Sequence, residues 1–489
     1  MLLIALLPAA QLAAQTPATL EETVVRAARL PADSSVTQQR TLPEQSTDSM
    51  PLLPSDLLRA TPGAFVQQTT PGQGIPIVRG LKGSQVLHLV DGFRLNNAFF
   101  RSSPNQYLAL VPTAAVGSID VARGPVGTAY GSDAMGGVVQ LNSVRPAFDR
   151  ALQFGGRLGW ISSSEGVTGA VRLRGGNDAH AFDAGLSAAD IDDRRVGGGA
   201  RVSPSAYESR GAWLSTRHRA ERVEWSVNLQ WAEQPSTPRV DELVPGFGQE
   251  QPSASEFFFE PNRRDFAQLR AAWQLDAPWA DEIQGQFGWQ RIVDDRRLRA
   301  FEADLRTLEQ NSSELYGLSV TAIRRFAGSE LRYGLDLTTD EVRSSRQAQR
   351  VSGGAQAEIA ARFPDGSRLQ GAGLFAEQRW QLSPATTVEL GLRYSRFRVD
   401  IAATDFGEPG TELNPDDVTA RLGVRHEIAP TLSLVANAAQ GFRAPNIFDL
   451  GALGPRPGNR FNTANNDLDP ERINSIDAGL VGDIGALRW

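Results

Sequence analysis

Residues 93 to 107 read Phe93-Arg94-Leu95-Asn96-Asn97-Ala98-Phe99-Phe100-Arg101-Ser102-Ser103-Pro104-Asn105-Gln106-Tyr107, with two guanidiniums and four side-chain amides set among aromatic rings. A guanidinium presents a planar fork of N–H donors that fits a carboxylate. Arg94, Asn96, Asn97, Arg101, Asn105 and Gln106 are therefore candidates for contact with an anionic ligand. The same forks also serve solvated surfaces and structural ion pairs. Covalent chemistry finds less to work with. The sequence has no Cys, which excludes a disulfide, a thiolate metal site and a cysteine nucleophile. Its histidines are His88, His180, His218 and His426, and His88 sits mid-strand with Val86 and Val90, where a structural role is expected. No Ser/His/Asp set, HExxH motif or carboxylate pair stands out, and no GK[ST] or GxGxxG follows a strand in the glycine-rich N-terminal third. The sequence is thus expected not to be an enzyme and to hold no cofactor and no metal. A net charge of -7 argues against a nucleic-acid partner.

The elements that must position these groups fall into two kinds. From about residue 150 onward, apolar and polar residues alternate for several positions and then give way to polar or Gly/Pro-rich stretches. Val223, Trp225, Val227, Leu229 and Trp231 alternate with Arg222, Glu224, Ser226, Asn228 and Gln230. The same pattern runs through Leu152 to Trp160, Ile283 to Gln290, Leu331 to Leu337 and Val418 to Arg425. A period of two puts the two sets on opposite faces of a sheet. The oily face meets either a second sheet, as in a soluble sandwich, or lipid, as in an outer-membrane barrel whose polar face lines a wet lumen. Trp and Tyr near strand ends favour the barrel. The connections do too: Pro430–Thr431 and Ser383–Thr386 are short, whereas 235–264, 343–368, 402–417 and 445–471 are long. The long ones are expected outside the cell. One carries Phe257, Phe258 and Phe259 beside Glu260, Arg263 and Arg264, as a ligand-facing rim or as a loop packed on itself.

Residues 50 to 145 are a different object, with short apolar strands joined by glycine turns. Gln85 to Val90 reads as a strand ending in the Asp91-Gly92 turn, Ser118 to Ala122 as another, and Leu52 to Leu58 and Pro112 to Val116 as short helices. Ahead of them, MLLIALLPAAQLAAQ reads as a secretory signal cut after Ala14; its missing positive n-region leaves open a start upstream of Met1. No later segment reaches the roughly 18 apolar residues of a membrane helix, so a place in a membrane requires a closed barrel.

Four blocks in order, Ile77-Val78-Arg79-Gly80, Leu89-Val90-Asp91-Gly92, Ile119 to Pro125 (with Arg123-Gly124-Pro125) and Tyr130-Gly131-Ser132-Asp133-Ala134-Met135-Gly136-Gly137-Val138, resemble the plug of TonB-dependent outer-membrane receptors. Gly441-Phe442-Arg443-Ala444-Pro445 and Asn465 to Arg472 resemble two barrel blocks of that family, and Glu22-Thr23-Val24-Val25-Arg26-Ala27 resembles its TonB box. An exposed strand-forming hexamer suits the addition of an edge strand to a partner. The resemblance implies a mainly β fold: an N-terminal α+β plug domain inside a large antiparallel transmembrane β-barrel of the 22-stranded type. The expected division is 1–14 signal peptide, 15–48 TonB box and linker, 49–147 plug, and 148–489 barrel. About 14 strand-like segments follow residue 150, so the barrel is expected to be incomplete here, truncated on its C-terminal side.

The resemblance further implies active import across the outer membrane of a Gram-negative bacterium, without covalent chemistry. The partners it implies are TonB with ExbB–ExbD, outer-membrane lipid and a small chelate ligand, on a monomeric receptor. Only about seven residues separate the signal from the TonB box, so the family's signalling domain is not expected. The ligand expected is a ferric siderophore or other iron chelate, with Arg94 and Arg101 on the ligand side. Haem, cobalamin and oligosaccharide importers of the same family are the alternatives, and a passive porin is the alternative class. Haem receptors carry a His between the two barrel blocks, and this sequence has none there.

Overall fold

The computed structural model describes residues 38–41, 51–59, 61–101, 106–407, 409–451, 454–456, 460–462, 465, 467–484 and 487–488. The signal segment, the Glu22–Ala27 hexamer and Asn105 lie outside them.

Fourteen long strands follow residue 150 among the described residues. In order they are Gln153–Ile161, Gly166–Gly176, His180–Ile191, Tyr207–Arg219, Val223–Gln234, Ala254–Gln274, Glu282–Ala300, Leu305–Phe326, Ser329–Arg350, Arg368–Ser383, Thr386–Ile401, Asp416–Ala429, Leu432–Arg443 and Glu471–Ile484. Each pairs antiparallel with the next, and the sheet curls into a barrel. The paired registers run from Gln153–Ile161 to Leu487–Arg488; among the described residues, none joins that last strand back to the first.

The alternation sorts the faces as the period of two requires. Trp225 and Leu229 are exposed on the outer face, while Glu224, Asn228 and Gln230 between them are buried against the lumen contents. In water, such exposed Leu, Phe and Trp rows would form a large apolar patch; in a bilayer they are the solvent-facing surface. Phe154 and Leu158 on the first strand are 76% and 80% exposed, and Ile476 on the last is 88% exposed.

Two of the expected long loops are partly strand. Ala254–Gln274 and Ser329–Arg350 continue through 254–264 and 343–350, because those segments pair with Glu282–Ala300 and Leu305–Phe326. Strands of 19 to 22 residues exceed the roughly 9–11 a barrel strand needs to cross the hydrocarbon. Their outer ends are polar and cross-linked: Glu256 accepts hydrogen bonds from Arg297, Arg299 and Arg306 at 2.6–2.9 Å. Phe257 and Phe259 are buried in a cluster with Ala254. The triplet lies on strand and not on an exposed loop, with only Phe258 half-buried.

The N-terminal domain fills the lumen. Its main sheet has the order Gln38–Thr41, Val116–Arg123, Gly137–Ser143, Val86–Val90, Phe93–Arg94, with Val86–Val90 parallel to Gly137–Ser143. A second sheet joins Ala64–Gln67, Ile75–Val78 and Leu81–Lys82. Pro54–Leu58 and Thr113–Ala115, read as helices from the sequence, are short 3-10 turns. The two central positions of the Asp91-Gly92 hairpin have φ of 50° and 81°, the left-handed pair of a type I′ turn, which Asp-Gly supplies cheaply. The apolar core is shared: Leu57, Val90, Phe93 and Phe99 of this domain cluster with Phe266, Ile292, Leu315 and Val342 of the strands.

Candidate functional site

The hairpin at Asp91 is fastened to the wall from both sides. Its carboxylate accepts from the Ser143 backbone N–H (2.9 Å), the Ser143 hydroxyl (2.6 Å) and the Asn228 amide. Its carbonyl accepts from Gln268 (3.0 Å) and Arg270 (3.1 Å). Arg94, a sequence candidate for ligand contact, is spent inside the domain. It donates to the Ser132 carbonyl (3.1 Å) and pairs with Asp133. Asn96 ties the return strand down. Its amide donates to Asp133 (3.0 Å) and the Val86 carbonyl (3.2 Å), and its oxygen accepts from the His88 backbone N–H (3.0 Å). The His88 ring lies 3.1 Å from that oxygen, and burial pushes its pKa down to about 4, so the imidazole is neutral.

Beyond Ala98 the bonding changes. Gln106 is fully buried and donates to Asn262 at 3.1 Å, and the Tyr107 hydroxyl donates to Asp294 at 2.7 Å. Burial and that neighbouring carboxylate raise the phenol well above its ordinary value. Arg101 is buried at 7% exposure, its Nε has no hydrogen-bond partner, and among the described residues it makes no ion pair, the Asp294 carboxylate acting on it only electrostatically. Burial lowers its pKa to about 9, helped by the guanidiniums of Arg296, Arg239 and Arg362. Those three have acids: Arg296 pairs with Asp294 at 2.6 Å, Arg239 with Asp241 at 2.9 Å and Arg362 with Glu309 at 3.2 Å. Of these four guanidiniums, Arg101 is the one without an ion pair among the described residues. A buried charge is normally paired; Arg264, 1% exposed, likewise makes no ion pair among them and is held by Gln290 and Gln230. Asn97 is buried as well, and its Nδ2 has no partner.

The four motif blocks form the seat between the two domains. Arg79 donates to Asp477 at 2.6 Å, and Gln85 to Glu471 at 2.9 Å. Gly80 turns the chain between Ile75–Val78 and Leu81–Lys82. Arg123 caps the Pro62 carbonyl at 2.8 Å, and the Gly124 N–H bonds the Gly136 carbonyl at 2.9 Å. Gly137 has a φ of 147° and a side chain there would lie 2.1 Å from the Ala122 carbonyl, so only glycine fits. Tyr130 is buried with Leu87, Val126 and Val138. Pro125 packs against Gly441, the Asp133 N–H bonds the Phe442 carbonyl (3.0 Å), and the Ala444 N–H bonds the Ser132 hydroxyl (3.0 Å). The barrel block Gly441–Pro445 thus docks on the last of the N-terminal blocks.

Two family models match. Residues 27–138 fit the TonB-dependent receptor plug domain, and residues 153–489 fit the TonB-dependent receptor-like β-barrel. The chain belongs to the TonB-dependent receptor family. A vitamin B12 transporter, BtuB, of Vibrio vulnificus (strain YJ016) is 33% identical over 181 residues, 36% of this receptor and 28% of that protein. Solved receptors share the fold: the copper transporter OprC at TM-score 0.78 and 16% identity, over 92% of this chain and 69% of that one, and the ferric citrate transporter FecA at 0.74 and 17%, over 93% and 68%. The haemophore receptor HasR of Serratia marcescens is similar at 0.74 and 17%, over 93% and 70%.

Sequence reading missed the barrel half of the site. Asn228, Gln268, Asp294 and Asp340 reach the plug from strands 137 to 242 residues away in sequence. Their only signal is that they are polar on the lumenal face of an alternating strand, a property they share with many other lumenal residues.

Proposed function

We propose that this receptor imports an anionic, scarce ligand, a ferric siderophore or other iron chelate, across the outer membrane of a Gram-negative bacterium. The observation that carries the reading is Arg101, a buried guanidinium on the plug with no ion pair among the described residues and three more guanidiniums around it. An anion placed there would gain charge-assisted bonds that the protein itself leaves unmade. The import is driven by TonB with ExbB–ExbD, acting through Glu22–Ala27, and the receptor sits in lipid as a monomer. Binding of ferric citrate, a ferric catecholate, a ferric hydroxamate, haemin and cobalamin to the purified receptor, followed by uptake in cells with and without TonB, tests it. The reading expects an anionic ferric chelate to bind, Arg101→Ala to weaken it, and uptake to stop when Glu22–Ala27 is deleted. Unchanged uptake after that deletion would remove the energy coupling.

A second reading, cobalamin import, is favoured by the identity to the vitamin B12 transporter. It predicts cobalamin binding that is indifferent to Arg101→Ala.

A further inference from the structure

Away from the lumen, the barrel wall brings two histidines together. Asn177 closes the short turn between Gly166–Gly176 and His180–Ile191, and its side-chain oxygen accepts from the Ala179 N–H (2.9 Å) and the His180 N–H (2.7 Å). The Arg219 N–H bonds the Ala179 carbonyl at 2.9 Å. In the register these bonds continue, His180 stands directly opposite His218, and His218 directly opposite Trp225 on the next strand. Opposed residues of an antiparallel pair have Cβ atoms about 4.5–5.5 Å apart, so the three rings form one row. The alternation puts that row on the outer face. Ala181, Asp183, Ser215 and Arg217 are buried toward the lumen, whereas Leu186 and Leu214, in phase with the histidines, are exposed together with Trp225. Short turns mark the periplasmic end of such a barrel, and Trp favours the lipid–water boundary there.

The two imidazoles are set as a chelate. Their Nδ1 atoms are 3.0 Å apart, with ring centroids at 4.4 Å. Two such nitrogens bond each other only when one carries a proton and the other offers its lone pair, so the two face a common point. The Trp225 ring, 5.2 Å from that of His218, supports it from the far side. An ion at roughly 2.0–2.1 Å from each nitrogen, the usual metal–imidazole distance, would see them at about 90°. That is the cis angle of the square-planar and tetragonal sites taken by Cu(II) and Ni(II), and it is narrower than the angle of a tetrahedral zinc site. The neighbouring cations are turned away: Arg217 and Arg219 alternate to the other face and lie over the Phe148 ring, at 4.5 and 4.4 Å. Among the described residues no third His, Cys, Asp or Glu joins the pair, which leaves the remaining coordination positions to water.

We propose that His180 and His218 form a bidentate surface site for a divalent transition-metal ion, Cu(II) first by the general order of affinities, at the periplasmic edge of the outer face. Coordination through both Nδ1 atoms leaves each ring its proton on Nε2 and replaces the hydrogen bond between them. The bound ion ties two neighbouring strands at their turns. The site is separate from the lumen and does not rest on the import reading.

The sequence makes the test clean, with no Cys and four histidines. His88 is buried in the plug, and His426 is exposed with its ring bonded to the Thr386 hydroxyl at 3.0 Å. The full receptor, purified without a histidine tag, is titrated with Cu(II) alone and read by electron paramagnetic resonance and by tryptophan fluorescence. The expected result is one ion per receptor, hyperfine splitting from two imidazole nitrogens, and quenching of Trp225. His180→Gln and His218→Gln should each weaken binding about tenfold or more, because each removes a second ligand held at high local concentration. His426→Gln should leave binding unchanged, and Trp225→Phe should keep the ion and lose the quench. Unfolding midpoints measured without Cu(II) and equal to that of the unsubstituted receptor show that the Gln variants are folded. Absence of binding, a signal from a single nitrogen, or binding that survives both His→Gln changes overturns the proposal. Each of those outcomes leaves the import reading standing, since that is decided by chelate binding and by uptake after deletion of Glu22–Ala27.

Discussion

Arg94 and Arg101 lie seven residues apart on one stretch of plug and have opposite fates. The hairpin that holds Arg94 is saturated, with Asp133, Ser132, Asn96, His88 and Asp91 all bonded to one another or to the wall. The apex that holds Arg101 is not; its guanidinium is buried without an ion pair among the described residues, and Asn97 keeps an idle amide. A saturated polar network fixes structure, because every group in it loses on rearrangement. An unsaturated one costs stability and is kept at a site that a ligand completes. On this contrast the hairpin is suited to seating the plug and the apex to recognition.

The largest test breaks the saturated side. Asp91→Asn keeps the left-handed turn but sets an amide against the donors of Ser143 and Asn228. It should destabilise the hairpin by about 3 kcal/mol, read as faster hydrogen exchange over residues 86–94 and 137–143. Exchange unchanged there would mean that the barrel holds the plug without this anchor. Next, Arg94→Met leaves the buried Asp133 carboxylate without its cation, held only by Asn96 and Ser132. An expected loss of about 2 kcal/mol, lower than for a fully buried pair because both partners are partly exposed, should appear in the same peptides. The apex should respond with the opposite sign. Arg101→Met removes a buried charge that makes no ion pair among the described residues and should raise stability by about 1–2 kcal/mol, measured as a higher unfolding midpoint, while anion binding falls. A lower midpoint would show that Arg101 is structural after all.

The last test is a pH dependence. His88 is neutral in the fold with a pKa of about 4, against an ordinary 6.5. Below pH 6.5 the unfolded chain gains a proton that the folded plug refuses, so stability falls on acidification and levels off below pH 4. The slope can reach about 1.4 kcal/mol per pH unit. His88→Gln should flatten that slope in plug hydrogen exchange between pH 6.5 and 4; an unaltered slope would place the titration elsewhere.

The barrel strands were legible because a strand with one face in lipid and one in a wet lumen must alternate. Val223 to Trp231 showed this, and the two-residue turn at Pro430–Thr431 lies where the sequence marks it. The extension of Ala254–Gln274 into the supposed loop was not legible. Residues 254–264 are held in strand by partners on Glu282–Ala300, and their mixed Phe, Glu and Arg content reads equally well as loop. The ligand candidates were legible only as a group. Nothing local separates Arg94 from Arg101; Asp133, which claims the first, is 39 residues away.

The sequence alone determined the alternating strands, the glycine and Asp-Gly turns, the family blocks and the lack of thiols, because each is a matter of residue type at short spacing. Tertiary structure decided which of Arg94 and Arg101 meets an acid and which lumenal side chains fasten the plug. These are questions of who meets whom across the lumen. Their partners come from strands far along the sequence, so the answer exists only once the sheet has curled around the plug.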